Sequence, residues 1–398
     1  MKNRINVRAN CTLRGCSRRN KRRSKNTTGP AGTSGNIGAQ ISGDIVMMPI
    51  AKCLLTLSTV LIVTCAATPA SATAELPALG AELQGLTVSG VSSGAYMAVQ
   101  FQVVHSKLVR GAGVLAGGPY YCAEGSTWRA LTNCMSPSAW SPLPSTVQIK
   151  SRLETLAQSG RIDPLVNLRD DRVWLLSGGQ DHTVETPVMD LLAAFYREWL
   201  PAGAIHYVKP ADAGHAMIST ADPRPNACNT SEPPFINRCG DLDAAGELLK
   251  HLLGTLHAPS TSPHGELVSF DQRPFVDGKP IDASLADEGY AYVPAPCRSG
   301  ACRVHVAFHG CRQNVSQVDR RFIEGAGYNA WADSNRLIVL YPQTVARNGV
   351  ASGSWKWLYN PKGCWDWWGY SGIDYHTRDG VQIKAVRAMI ERLGKPAR

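Results

Sequence analysis

One short segment, Gly90-Val91-Ser92-Ser93-Gly94, constrains the fold more than any other part of the chain. The strand-forming run GLTVSG leads into it, and the apolar run AYMAVQFQVVHS, which is typical of a helix, follows it. A serine between two glycines at this spacing is typical of the sharp strand-to-helix turn that holds a nucleophile. An ordinary Ser/Gly loop is the alternative, because loops are rich in both residues.

The first 46 residues differ sharply in charge from the rest of the chain. They contain ten Lys and Arg residues and one acid, Asp44, whereas the whole chain has a formal net charge of +10. The remainder is therefore nearly neutral, and nucleic acid is not an expected partner. Low hydrophobicity and clustered positive charge predict that residues 1–46 form a disordered basic extension. A nucleic-acid or membrane-surface arm is the alternative.

Residues 47–74 have the pattern of a secretory signal peptide. A Met pair and one lysine precede an apolar run, and the segment ends in two overlapping A-x-A sites at 70–72 and 72–74. The apolar run is short for a membrane span. We therefore expect a mature chain that begins near Glu75, is secreted (to the extracellular space or the periplasm), and has no membrane span.

The mature chain contains an even number of cysteines. Four of the 12 cysteines precede residue 75, which leaves eight. An even number in an exported chain implies disulfides, although eight cysteines allow roughly 100 pairings. Local spacing favours three short pairs and leaves one long pair: Cys122–Cys134, Cys228–Cys239, Cys297–Cys302 and Cys311–Cys364. A zinc site is the rival interpretation, but the sequence has no C-x2-C pair, so no metal is expected.

Strand-like and helix-like runs alternate along the mature chain, which favours an α/β fold with a mainly parallel sheet. Strands are predicted in RVWLLSGGQD (172–181), RVHVAFHG and RLIVLYPQ, and helices over 242–254 and 380–394. The Pro-, Ser- and Thr-rich segment at about 255–265 is predicted to be a linker. The length of 75–398 fits one large domain.

Three residues occur in the order serine, acid, histidine that hydrolases of the α/β class use. A serine becomes a good nucleophile when a histidine accepts its proton, and the histidine needs an acid that fixes its tautomer. Asp181 ends the strand-like run 172–181, and His215 lies in the loop ADAGHAM after the next predicted strand. We therefore predict Ser92 as the nucleophile, Asp181 as the acid and His215 as the base.

Other residues near these positions are weaker candidates: Asp190, Asp212, His182, His206 and Ser93. Neither of the two aspartates ends a clear strand. His182 adjoins the predicted acid too closely in sequence to be oriented by it. His206 lies inside an apolar strand, where we expect it to be packed. The serine lacks a glycine at both flanking positions.

Acyl transfer also needs two backbone amides directed at the developing oxyanion. One usually belongs to the residue after the nucleophile, here Ser93, and the other to a His-Gly loop at the end of a strand. The run VAFHGCRQN (306–314) has this form, so Cys311 is the predicted second donor. His309 is predicted to contact the substrate, with a structural histidine of the loop as the alternative.

The His-Gly loop has an unusual place in the chain. It ordinarily precedes the nucleophile, whereas here it follows Ser92 by more than 200 residues. Placing 266–398 before 75–254 restores the ordinary order, and the predicted linker then joins the two ordinary chain ends. Termini that lie close together at the surface make such a permutation tolerable. We therefore predict a circularly permuted α/β-hydrolase fold.

Five of the ten tryptophans lie within 355–368. Tryptophan supplies a large apolar area with a polar handle, so this segment is predicted to form a wall or mouth for a hydrophobic substrate. Trp365 and Trp367 are the predicted substrate-contacting residues, and packing in the core or in loops is the alternative.

Four segments, LPALGAELQGLTVSGVSSGAYMAVQF, FHGCRQN, LIVLYPQ and GCWDWWGY, together resemble the single-domain, circularly permuted poly(3-hydroxybutyrate) depolymerases. The similarity covers nearly all of 75–398. It implies a secreted serine esterase that cleaves polyester to short 3-hydroxyacid oligomers without metal or cofactor. It also implies the roles given above to Ser92, Asp181, His215, Ser93 and Cys311, and a substrate crevice lined by the Trp-rich segment.

We expect a monomer whose partner is a hydrophobic polyester chain or oligomer. Two other functions are alternatives at this point. A short-chain esterase, or one that acts on acetyl or feruloyl esters of carbohydrates, would use the same triad. A secreted, non-catalytic binding protein would have a degenerate one.

Overall fold

Eight strands form one large, mainly parallel sheet, as the alternation of strand-like and helix-like runs predicts. The computed structural model describes residues 74–352, 355 and 357–397. The basic extension and the signal peptide up to residue 73 therefore lie outside the described residues. None of the helices in the described ranges has the length and apolar character that crossing a membrane requires.

The elements are numbered along the chain. The strands are β1 (Glu82–Val91), β2 (Val109–Leu115), β3 (Arg172–Leu176), β4 (Ile205–Val208), β5 (Met217–Ile218), β6 (Asn226–Ala227), β7 (Ile236–Arg238), β8 (Glu266–Asp271), β9 (Glu288–Val293), β10 (Arg303–Phe308), β11 (Leu337–Tyr341), β12 (Arg347–Val350) and β13 (Trp357–Asn360). The α-helices are α1 (Ser93–Val104), α2 (Thr127–Thr132), α3 (Thr146–Gln158), α4 (Thr186–Tyr196), α5 (Ala244–Leu253), α6 (Val315–Val318), α7 (Arg321–Gly325), α8 (Tyr328–Ser334) and α9 (Val381–Gly394).

The large sheet has the strand order β4-β3-β2-β1-β10-β11-β9-β8. The pairs from β4 to β11 are parallel, whereas β9 runs antiparallel to both of its neighbours. When the strands are renumbered with β8 to β11 first, the order read from β8 becomes 1-2-4-3-5-6-7-8. The His-Gly loop then follows strand 3, which is its ordinary place in an α/β-hydrolase. This order is the one expected of a permuted chain.

The two ends of this region lie side by side. The amide of Leu79 donates to the carbonyl of Leu393, in α9, at 3.1 Å. The predicted linker, at about 255–265, has no helix or strand. It forms hydrogen bonds with α8 and with the residue that follows α8. The amide of His257 donates to Asn335 Oδ1 at 2.7 Å, and that of Gly265 donates to Asp333 Oδ1 at 2.9 Å. Adjacent ends and a surface connection are what a permutation requires.

Helices cover both faces of the sheet and bury it. Helices α1, α3, α4 and α9 contribute to the core on one face, and α5, α7 and α8 to the core on the other. Strands covered on both sides are apolar at nearly every position, and all five residues of β11 are buried. The catalytic chemistry is therefore expected at the strand ends, where loops emerge from this double layer.

The described residues form four disulfides: the three short pairs that local spacing favours and the long pair that remained. Three of them close short loops. The fourth, Cys311–Cys364, spans 53 residues and joins the His-Gly loop to the Trp-rich segment. Such a link restricts both segments together and removes more freedom from the unfolded chain than a short loop does.

Some elements are absent from the sequence-based prediction. The edge strand β8 was missed, because its exposed face makes the apolar pattern weak. The small sheet β5-β7-β6 is built from strands of two or three residues, which are too short to show a period. The hairpin of β12 and β13 lies within a segment that reads as a Trp-rich loop.

Candidate active site

The turn between β1 and α1 holds Ser92 in a strained backbone conformation, with φ 55° and ψ −122°. Its amide donates to the Leu115 carbonyl of β2 at 2.9 Å, which ties the turn to the sheet. A Cβ on Gly90 would lie 2.2 Å from the Gly94 carbonyl oxygen, and a Cβ on Gly94 would lie 2.3 Å from the Phe308 carbonyl oxygen. Close backbone approach therefore requires both glycines, and the segment has the geometry of a nucleophile elbow.

His215 and Asp181 are joined by a hydrogen bond of 2.8 Å between Nδ1 and Oδ2. The other carboxylate oxygen of Asp181 accepts from the amides of Thr183 and Val184 at 2.8 and 2.9 Å, which fixes the orientation of the acid. The amide of His215 donates to Ser231 Oγ at 2.9 Å. A carboxylate at Nδ1 favours the tautomer with its proton there, so Nε2 is the basic nitrogen.

The loops after β1, β3 and β4 meet at the carboxyl edge of the sheet. The amide of Gln180 donates to the Ala213 carbonyl at 2.9 Å, which joins the loop of the acid to the loop of the histidine. Ser92 and His215 line one cleft, with Asp181 buried behind the imidazole. Ligand sites of parallel α/β sheets form at this edge. The structure thus brings the three predicted residues together.

The weaker candidates for acid and base lie outside the cleft. Asp190 is half-exposed and pairs with Lys209 Nζ at 2.6 Å. Asp212 and His182 are exposed. His206 is also exposed, which corrects the expectation that it is packed. The reason is that β4 is the edge strand of the sheet, so its neighbours cover it incompletely.

Two backbone amides are available beside the nucleophile. Ser93 follows Ser92 in the elbow, and Cys311 lies on the cleft wall. Within the described ranges neither of these amides donates to a protein acceptor. The side chain of Ser93 is 1% exposed and its hydroxyl accepts from the Trp365 amide at 3.3 Å, so this hydroxyl is not free to attack a substrate.

The His-Gly loop is held by a dense set of contacts. The Gly310 amide donates to Gln313 Oε1 at 2.8 Å, and Gln313 Nε2 donates to the Phe235 carbonyl at 2.9 Å. His309 is buried, and its Nε2 accepts from the Thr344 amide at 3.2 Å. Burial lowers the pKa of His309 to about 4. His309 does not line the cleft, which corrects the expectation that it contacts substrate: its ring is packed beneath the loop.

The cleft at the triad has a volume of about 240 Å³ and a mainly apolar wall. The apolar wall comes from several separate segments of the chain: Tyr96, Leu131, Met135, Val184, Phe235, Tyr359, Trp367 and Trp368. A cavity with few polar groups and a continuous apolar wall is the usual form of a site for a hydrophobic ligand.

The two predicted substrate-contacting tryptophans have different surroundings. Trp367 lines the cleft and stacks on Tyr96, with ring centroids 3.9 Å apart. Trp365 is fully buried and packs edge-on against Phe308 at 5.0 Å. The expectation for Trp365 is therefore wrong. The hydrogen bond from its backbone amide to Ser93 Oγ holds it beneath the elbow and in the core.

Two known proteins are similar to the chain in sequence. A poly(3-hydroxybutyrate) depolymerase of Delftia acidovorans is 42% identical over 328 residues, which are 81% of this chain and 62% of that protein. A polyhydroxybutyrate depolymerase of Talaromyces funiculosus is 36% identical over 324 residues, which are 80% of this chain and 92% of that protein. The chain belongs to the polyhydroxybutyrate (PHB) depolymerase family. No family model matches it.

Solved structures of PHB depolymerases have the same fold. One is a serine-to-alanine variant in complex with an R3HB trimer, with a TM-score of 0.72 and 33% identity over 81% of this chain and all of that one. Another, from Penicillium funiculosum, has a TM-score of 0.72 and 32% identity with the same coverage. The PHB depolymerase fold thus accounts for the described region, although the chain spans only 62% of the Delftia protein.

The orientation of the tryptophan wall depends on a buried acid that the sequence-based prediction missed. Asp366 Oδ1 accepts from the amides of Trp368, Gly369 and Tyr370, and Oδ2 accepts from the amide and hydroxyl of Ser371. Burial raises the pKa of Asp366, and these hydrogen bonds oppose that rise. The carboxylate closes the turn directly after Trp367 and thereby holds both cleft-lining indoles.

Several residues of the cleft wall also escaped the sequence-based prediction: Tyr96, Leu131, Phe235, Tyr359 and Trp368. They come from α1, the excursion closed by the Cys122–Cys134 disulfide, the loop before β7, strand β13 and the turn after Trp367. Tyr359 and Trp368 carried a signal in the sequence, since both belong to the Trp-rich segment. The others could not be identified, because an isolated aromatic or aliphatic residue has no pattern that separates a cleft wall from a core.

A second histidine bonded to serine and threonine lies in the core and not in the cleft. His305 Nδ1 and Nε2 lie 2.8 Å from Thr87 Oγ1 and from Ser89 Oγ, and Ser89 Oγ lies 2.7 Å from Tyr328 Oη. Burial lowers the pKa of His305 to about 3, so it stays neutral. This network joins β10 to β1 below the elbow and is structural in the PHB depolymerase fold.

Proposed function

We propose that this protein is a serine esterase that hydrolyses poly(3-hydroxybutyrate) or a closely related polyester to short 3-hydroxyacid oligomers. The observation that carries the proposal is the 2.8 Å bond between His215 Nδ1 and Asp181 Oδ2 in the cleft that Ser92 lines. Family membership supports the substrate class. Ser92 is the proposed nucleophile, His215 the proposed base, and Asp181 the proposed orienting acid.

Acylation begins with proton transfer from Ser92 Oγ to His215 Nε2. The serine oxygen attacks the ester carbonyl, and the amides of Ser93 and Cys311 donate to the oxyanion that forms. The imidazolium is stabilised by Asp181, which keeps its own charge. His215 then protonates the leaving alkoxide, so that one hydroxyl-ended product departs and an acyl-enzyme remains.

Deacylation repeats these steps with water as the nucleophile. His215 accepts a proton from water, and the resulting hydroxide attacks the acyl carbonyl. The amides of Ser93 and Cys311 again donate to the oxyanion. When the second tetrahedral intermediate collapses, the proton returns to Ser92 Oγ and a carboxylic acid is released. The balance is one ester and one water for one alcohol and one acid, and none of these steps uses a metal or cofactor.

An apolar cleft suits a polyester chain better than a sugar ester. A sugar ring needs several hydrogen-bonding groups, whereas the wall contributed by Leu131, Met135, Phe235 and Trp367 is apolar or aromatic. This contrast favours the polyester over the carbohydrate esters considered above.

We also infer that the protein is exported and acts as a monomer with a mature chain that begins near Glu75. Four disulfides support an oxidising compartment. Leu76 is buried, so a mature chain that begins near Glu75 keeps this core contact. Mass spectrometry of the culture medium tests export and the start of the mature chain, and gel filtration tests the monomer.

The first experiment is the clearing of an amorphous poly(3-hydroxybutyrate) suspension by the purified protein beside its Ser92→Ala variant. We expect clearing by the wild type alone. Clearing by both proteins would contradict the assignment of Ser92. Cleavage of p-nitrophenyl butyrate or of an acetylated or feruloylated sugar, without clearing, would retain the triad and contradict the polyester. Failure of all these reactions would favour a binding protein.

A further inference from the structure

The charged residues on the wall of the cleft have one sign. The lysine and arginine residues that line the cleft are Arg312 and Lys362. The described residues that line it include no aspartate or glutamate. A neutral polyester chain gives no reason for an excess of positive charge in an otherwise apolar cleft.

These two cations are held beside each other and beside the proposed oxyanion site. The Arg312 amide donates to the Lys362 carbonyl at 2.7 Å. Arg312 directly follows Cys311 and has a left-handed backbone with φ 57°, which costs free energy in a residue with a side chain. Its guanidinium lies over the Phe235 ring, 5.1 Å from the centroid, so it is directed along the cleft wall.

Neither cation is neutralised by an acid in the described part of the chain. Several arginines outside the cleft do pair with carboxylates, among them Arg129, Arg161, Arg273, Arg321, Arg378 and Arg387. Arg312 and Lys362 have no such ion pair among the described residues. They therefore keep their donors available to a ligand.

We propose that Arg312 and Lys362 form a subsite for the free carboxylate end of an oligoester chain. This proposal rests on the proposed function and deepens it, because it specifies which end of a short substrate the cleft recognises. Guanidinium and ammonium groups bind carboxylates through charge-assisted hydrogen bonds, and the neighbouring apolar wall strengthens such bonds. The subsite lies next to Cys311, so a bound acid end sits close to the bond that is cut.

The experiment compares cleavage of the esters between 3-hydroxybutyrate units in the trimer as the free acid and in its methyl ester, which replaces the charged carboxylate by a neutral ester. We expect the wild-type kcat/KM to be about 1.5-fold to fivefold higher for the acid, a range typical of solvent-exposed ion pairs. This preference should decrease as salt is raised from low to molar concentration, because salt screens exposed charges. In the double variant Arg312→Gln with Lys362→Gln the ratio should fall to about one.

The matched control is Arg387→Gln, which removes an arginine of α9 that pairs with Glu391 outside the cleft. It should keep the wild-type ratio. Equal kcat/KM for both trimers in the wild type would overturn the subsite, as would an unchanged ratio in the double variant. Failure of the wild type to cleave either trimer would instead contradict the proposed function, so the two failures are distinguishable.

Discussion

The ring of Tyr96 stacks on that of Trp367, with centroids 3.9 Å apart and planes 9° from parallel. Tyr96 lies one turn into the helix that begins at the elbow, and its hydroxyl donates to the Cys134 carbonyl. The stack thus connects the nucleophile helix, the disulfide-closed excursion and the Trp-rich segment. A change in any of these segments is expected to alter the cleft wall.

The first prediction concerns Trp367→Ala. Loss of the indole removes a large apolar surface and its stacking partner, so KM for oligoesters should increase about tenfold, with a smaller change in kcat. Steady-state kinetics on the trimer measures this, and Trp367→Phe should recover most of the loss. Trp199→Phe, a half-buried residue that packs on Phe195 outside the cleft, is the control. An unchanged KM in the alanine variant would contradict a substrate contact.

The second prediction concerns Asp181→Asn. The amide oxygen can still accept from Thr183 and Val184, but its NH2 would face His215 Nδ1 and favour the wrong tautomer. By analogy with serine hydrolases, kcat for p-nitrophenyl butyrate should fall roughly 10³–10⁴-fold, with KM little changed. Thermal unfolding monitored by circular dichroism checks that the variant is folded. A folded variant that loses less than tenfold would exclude Asp181 as the orienting acid.

The third prediction compares two disulfides. Replacing Cys311 and Cys364 by serine opens a loop with a separation of 53 residues, whereas replacing Cys297 and Cys302 opens one of 5. Loop-closure entropy then gives losses of about 4 and about 2 kcal/mol in the free energy of unfolding. Only the first change should also lower kcat, because it frees the Cys311 amide. Denaturant unfolding and esterase assays measure both. Equal effects on kcat would contradict this role.

The fourth prediction concerns the buried carboxyl of Asp171. Its Oδ2 accepts from Gln102 Nε2 at 2.9 Å, while Oδ1 has no partner among the described residues. Burial raises the pKa of Asp171 from 3.8 to about 7. A raised carboxyl pKa stabilises the protonated folded form, so this contribution is complete below about pH 4 and is lost as the pH rises towards about 7.

Asp171→Asn should therefore increase the free energy of unfolding at pH 8 by on the order of 3 kcal/mol and change it much less at pH 4. Urea unfolding at the two pH values measures the difference. The exposed Asp277→Asn is the control and should show no such pH dependence. If wild type and Asp171→Asn have parallel stability profiles, the carboxyl does not titrate in this range.

Much of the site could be predicted because its chemistry depends on local sequence. The elbow needs glycine at 90 and 94, since a Cβ would collide with backbone at either position. The acid and the base follow strands that have clear apolar patterns, so their place at the sheet edge follows from the class of fold. The cysteine pairs followed from spacing, because three of them are close in sequence.

The wall of the cleft could not be predicted in the same way. Trp365 and Trp367 are two residues apart and chemically identical, yet one is in the core and the other lines the cleft. The difference arises from the hydrogen bond that the Trp365 amide donates to Ser93 Oγ and from the turn that Asp366 closes. Both contacts are tertiary or depend on burial, so no local pattern encodes them.

By itself, the sequence determined the family, most strands of the large sheet, the elbow and the disulfide pairs, because each depends on residue type and short-range spacing. Only the tertiary structure decided which aromatic residues form the wall, that His309 is structural, and that Arg312 and Lys362 share the cleft without an acid. These facts depend on which distant segments pack together. Packing is a property of the whole chain, and its energy is shared among contacts that no single segment contains.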